Sequence, residues 1–160
     1  MTEEYGFGFF DGAWTVRNRR LVDCLDPDSG WDEFDGHTAG RLFRDGRAHV
    51  DDIVFPSRDF SGMTLRLYEP DTGEWTLNWS DSRTGRLDPP VRGRFGADGT
   101  GVFLGDDHYR GTPVRVRFRW SGIGPDTARW EQAFAPAGTE AWVVNWVVTP
   151  PPRERGGFSL

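Results

Sequence analysis

The sequence predicts an all-β chain, an up-and-down antiparallel meander of about eight to ten strands closed into a barrel. Three observations carry this. Apolar and polar residues alternate with period two along nearly the whole chain, Gly- and Asp-bearing turns punctuate the alternation, and no segment keeps a helical period over three turns. The apolar volume is also concentrated in large rings. Only 36% of residues are hydrophobic, yet 14% are aromatic, including eight Trp and twelve Phe, which suits a barrel better than a bundle. At 160 residues the chain fits one domain able to bury roughly 70% of its unfolded surface, expected over residues 1–150 with a tail at 151–160 whose composition favours disorder.

In chain order, the alternation predicts strands over residues 13–21, 37–43, 47–55, 63–70, 74–81, 91–95, 100–107, 113–121, 127–134 and 141–149. Residues 2–10 alone have room for a turn of helix. The intervening "RDG", "EPDTGE", "RTG", "GADGTG", "YRGTP" and "APAGTE" supply the Gly or Asp that tight hairpins need, so most neighbours should pair antiparallel.

"PVRVRFRWS" (113–121) fixes faces most clearly. Val114, Val116, Phe118 and Trp120 share one row and Arg115, Arg117 and Arg119 the other, so the first should face the core and the second water, with Glu131 as an acidic neighbour. The same rule places Met63, Leu65 and Leu67 inside. It does likewise for Trp75, Leu77 and Trp79; for Trp130, Gln132 and Phe134; and for Trp142, Val144, Trp146 and Val148. With Trp14 counted, seven of the eight indoles point inward. Such a lining either fills the core or walls a cavity for one small ligand, and the indole N–H groups, each needing a partner, favour the cavity.

"FFDGAWTV", with Gly12 and Trp14 opening the first strand, resembles the G-x-W opening of the calycin superfamily, which holds lipocalins and fatty-acid-binding proteins. Together with "ARWEQAF" and "EAWVVNW" the chain is similar to an uncharacterised bacterial calycin-like family. The resemblance implies a barrel with a Trp plugging one end and a small molecule inside, and implies no reaction. The chain departs from classical lipocalins in lacking a T-D-Y-like turn and a last-strand Arg over Trp14.

Polar residues on inward rows are the candidates for chemistry. Asn18 and Arg20 continue the row of Trp14, Asp81 that of Trp75 and Trp79, and Gln132 lies between Trp130 and Phe134. Arg20 and Asp81 are expected to pair; alternatively Arg20 meets an anionic oxygen while Asn18 and Gln132 orient a carbonyl. "LGDDHYRG" adds His108 at a rim, sharing its row with Asp106 and not with Asp107. Arg20, Asp81 and His108 are therefore the expected catalytic groups. Trp14, Asn18, Trp75, Trp79, Trp120, Trp130, Gln132, Trp142 and Trp146 are the expected ligand contacts.

Other chemistries find no footing. His37, His49 and His108 lack ligand spacing, no phosphate or calcium loop is complete, and no nucleophile motif occurs, so no metal and no cofactor are expected. All 19 basic residues are Arg, but a net charge of −6 argues against nucleic acid. No apolar run approaches the 18 or so residues of a membrane span. The lone Cys24 and the acidic start "MTEEYGFGFF" lead to the expectation of a cytoplasmic protein, monomeric or homodimeric. Two functions fit: a cofactor-independent cyclase or isomerase of natural-product type acting on a hydrophobic molecule, or a non-catalytic carrier or sensor of one.

Overall fold

The computed structural model of the chain describes residues 6–151. The expected tail at 151–160 lies, apart from Pro151, outside the described residues, as does the start of the 2–10 stretch. Ten strands close an antiparallel barrel in sequential order: β1 (Gly12–Leu21), β2 (Trp31–Phe43), β3 (Ala48–Val54), β4 (Ser61–Glu69), β5 (Glu74–Asp81), β6 (Val91–Phe95), β7 (Gly101–Tyr109), β8 (Thr112–Gly124), β9 (Thr127–Pro136) and β10 (Val143–Thr149). β1 pairs with both β2 and β10, so the meander has no free edge to template aggregation.

The two ends differ. At the end where β1 starts and β6 finishes, a 3₁₀ turn over Phe7–Phe10 inserts as a plug. Phe7 is fully buried, edge-on to Trp75 at 4.8 Å and to Phe95 at 5.0 Å, and Phe10 lies 5.0 Å from Trp120. The plug depends on Gly6, whose φ of 116° is left-handed and whose backbone runs so close that a Cβ would sit 2.4 Å from the Phe95 ring. Trp14 and Trp75 belong to this packed end.

The inward rows expected from alternation are corrected on two strands. On β4 the inward row is Gly62, Thr64 and Arg66, while Met63 is 53% exposed and Leu65 and Leu67 share its outward row. The register explains the reversal: Gly62 lies diagonal to Trp79 across β5, where a Cβ would sit 1.9 Å from the indole, and Arg66 faces His49 across β3. On β10 a bulge between Val144 and Trp146 buries Asn145 and breaks the row, and Trp142 falls before the strand, outside the barrel, where Arg115 and Arg117 stack on its ring at 5.0 and 4.7 Å. Trp31 lies outside too, under Arg19. Six of the eight indoles therefore point inward. The outward Arg115–Arg119 row stands as expected, and Val114, Val116 and Trp120 are buried.

Candidate functional site

The interior between the plug and the opposite, open end holds a cavity. Its inner part, about 80 Å³, rests on Phe10 of the plug, and a wider outer part of about 170 Å³ reaches the mouth. Both share walls made by Leu77, Trp79, Phe118, Gln132 and Trp146. The aromatic wall is built edge to face: Trp146 lies 5.6 Å from Trp130 and 6.2 Å from Trp79, and Phe118 lies 5.0 Å from Trp130. Such contacts fix the rings without filling the lumen. Phe55 and Phe60, on the loop between β3 and β4, close over the Trp146 side.

Trp146 is held in place by Asn18. Its Nε1 donates to Asn18 Oδ1 at 3.0 Å, and the fully buried Asn18 donates from Nδ2 to the Phe34 carbonyl. Gln132 donates to Asn145 Oδ1 at 2.8 Å, and Asn145 donates to the Cys24 carbonyl, fastening the loop after β1 to β10. Tyr109 Oη accepts from the Cys24 amide at 3.0 Å and fixes the same loop.

Four charged groups stand at the mouth. The Arg20 guanidinium lies over Trp146, 4.8 Å from the ring centroid, and its buried Nε has no hydrogen-bond partner among the described residues. Asp81 pairs with Arg83 rather than with Arg20, accepting from Nη2 at 2.6 Å and Nε at 2.9 Å. Those hydrogen bonds hold its carboxyl below the ordinary range, with Arg20 adding a weaker attraction. Asp88 and Asp107 also line the mouth, and the Asp88 carboxyl is pushed up by burial, then by the charges of Asp107 and Asp81. His108 is on the exposed outer row of β7 with Asp106, reaching the mouth only from its rim.

The structure thus brings Arg20, Trp79, Trp120, Trp130, Gln132 and Trp146 to one cavity, with Asn18 behind Trp146 and Asp81 beside Arg20. Trp14 and Trp75 pack at the plugged end and Trp142 outside, so none of the three reaches the cavity. Sequence reasoning missed a buried charged cluster. Arg66, 5% exposed, donates from Nη1 to Asp51 Oδ1 at 2.8 Å and to His49 Nδ1 at 3.0 Å. A guanidinium can only donate, so Nδ1 accepts and the imidazole proton sits on Nε2. His49 is fully buried, and desolvation, then Arg66, pushes its pKa down to about 4.

Among the described residues, no group of three or more His, Cys, Asp or Glu is placed to hold a metal ion, and no helix is long and apolar enough to cross a membrane. No family model and no curated protein sequence matches the chain. Among solved structures, the chain is similar in fold to an S-type phycobiliprotein lyase from Guillardia theta. The TM-score is 0.55 and the identity 12%, over 96% of this chain and 93% of that one. At that identity the likeness shows the fold alone, the closed antiparallel barrel.

Proposed function

We propose that the barrel binds a small, largely hydrophobic organic molecule in its aromatic-walled cavity. The observation that carries this is Arg20: an inward guanidinium stacked on Trp146, without a carboxylate partner among the described residues, at the mouth of a cavity walled by indoles. A ligand with an anionic or strongly polar end would meet that cation while its body lies against Trp79, Trp130 and Trp146. The likeness to a phycobiliprotein lyase, a protein named for an enzymatic activity, is consistent with a barrel that accommodates a ligand.

The finer reading is a cofactor-independent cyclase or isomerase. Asp88 favours it: a carboxyl whose proton affinity is raised by burial and by two acidic neighbours is placed to give and take a proton beside an oxyanion held by Arg20. Asp88 takes the role expected of Asp81, which Arg83 keeps ionised, and of His108, which faces outward. Without turnover, the same site describes a carrier or sensor. Mass analysis of polyene acids before and after incubation separates the two, since a carrier returns its ligand unchanged.

Tryptophan fluorescence titration with the polyene acid cis-parinarate tests binding. Saturable quenching is expected, and Trp79→Ala should weaken it about tenfold, a loss of about 1.4 kcal/mol, whereas the outward Arg117→Ala should match the parent. Equal affinities in all three proteins would remove Trp79 from the site. Arg20→Gln should weaken parinarate at least fivefold while leaving its methyl ester unaffected and thermal unfolding cooperative. A loss of cooperative unfolding would make Arg20 structural instead.

A further inference from the structure

The inner end of the cavity is not apolar throughout. Thr38, Arg66 and Trp120 come from three different strands and all line it, each about 5% exposed. Each also carries a buried polar atom without a hydrogen-bond partner among the described residues: Thr38 Oγ1, Arg66 Nε and Trp120 Nε1. Buried polar groups are normally satisfied, and three unsatisfied ones at the floor of one cavity are what a site made to receive a hydrogen-bonding group looks like. All three can donate.

Charge decides what they would receive. Arg66 is already matched by Asp51 at 2.8 Å, and their neighbour His49 is uncharged at neutral pH, so the floor is rich in donors yet carries no net charge. A carboxylate pushed against it would shed its hydration shell without gaining a counter-ion. A carbonyl oxygen loses far less water and needs only donors. Of the arginines lining the cavity, Arg20, at the opposite end, is the one without a carboxylate partner among the described residues.

We infer that the floor formed by Arg66, Thr38 and Trp120 recognises a neutral oxygen acceptor, a ketone or lactone carbonyl at the leading end of the ligand, and discriminates against a carboxylate there. This rests on the binding function proposed above and adds polarity to it: the carbonyl goes in first, and any anionic group stays at Arg20. The cavity would then select among hydrophobic molecules by what they carry at the buried end.

Three isosteric probes test this: 2-acetylnaphthalene, its hydrocarbon isostere 2-isopropenylnaphthalene, and 2-naphthoate. Affinities are measured by tryptophan fluorescence in the full chain carrying Arg20→Gln, so that the mouth does not capture the acid. The ketone is expected to bind at least tenfold tighter than either other probe. Adding Asp51→Asn, which keeps an acceptor for Arg66 but removes the neutralising charge, should shift the acid-to-ketone preference at least tenfold toward the acid. A purely structural role for the cluster would leave that ratio unmoved, and an unmoved ratio overturns the inference. Should Asp51→Asn not fold, Thr38→Val replaces it. Its expected signature is an unchanged or higher Tm in the empty protein with the ketone's advantage over the hydrocarbon cut at least threefold, and an unchanged advantage overturns the inference. Equal binding of ketone and hydrocarbon refutes the floor's selectivity while leaving a binding cavity intact. Absence of binding by every probe refutes the cavity's function and this inference with it.

Discussion

Arg66→Met is expected to destabilise the folded chain by about 3–5 kcal/mol, the scale on which breaking one partner of a buried ion pair acts. The substitution removes little volume. What it leaves is the Asp51 carboxylate, 5% exposed, without its cation, and an imidazole acceptor without its donor. The three rings that face the guanidinium, Phe7, Phe10 and Trp120, with centroids 5.0 to 5.7 Å from its central carbon, cannot solvate an anion. Urea unfolding followed by tryptophan fluorescence measures the loss. Adding Asp51→Leu to Arg66→Met should recover at least half of it, because replacing both charges by apolar groups is often neutral or stabilising. A single variant as stable as the parent would show that the pair is not buried. A double variant no better than the single would show that Arg66 acts through packing alone.

That pair also marks where sequence reading stopped. Alternation identifies a strand's two faces but not which face is inward, and for β4 the apolar set Met63, Leu65 and Leu67 was the natural choice. The decision rests on the hairpin registers that set Arg66 against His49 and Thr64 against Trp79, and those depend on loop geometry that composition does not specify. β8 was legible because its two rows, aliphatic–aromatic and arginine, differ without ambiguity. β2 runs from Trp31 rather than from residue 37, because beyond Phe34 its inward row is Gly36 and Thr38, small or polar residues that leave little periodic signal. Gly36 is small for a reason: a Cβ there would lie 3.0 Å from Asn18 Nδ2, the group that orients the residue holding Trp146. The misplacement of Trp142 has a third cause, one extra residue in the β10 bulge, which shifts the face of everything before it. The aromatic wall was visible in the sequence because indoles at period two are conspicuous. The polar floor was not, because its members come one or two from each of several strands.

The second large effect is on pH. His49 has its folded pKa near 4, against an ordinary value of 6.5, because burial and the Arg66 charge oppose its protonation more than Asp51 and Asp11 favour it. Between those two values the unfolded chain holds a proton on His49 that the folded chain does not, so stability falls as the pH drops through this window. Well above 6.5 both states are neutral and the group contributes no slope. From pH 7 to pH 4 the loss from this one residue should be about 3 kcal/mol. His49→Gln keeps an acceptor for Arg66 and cannot titrate, so urea unfolding of parent and variant in parallel isolates the term, the carboxylates common to both cancelling in the comparison. The parent should lose about 3 kcal/mol more than the variant over that range, with the curves parallel above pH 7. Coincident curves throughout would mean that His49 titrates as it does in the unfolded chain, and that the cluster is open to water. The same measurement bears on selectivity: an imidazolium beside Arg66 would give the floor the net positive charge that Asp51 otherwise cancels. In protein still folded near pH 4, the cavity's preference for a neutral carbonyl over an anion should therefore weaken in the parent and persist in His49→Gln.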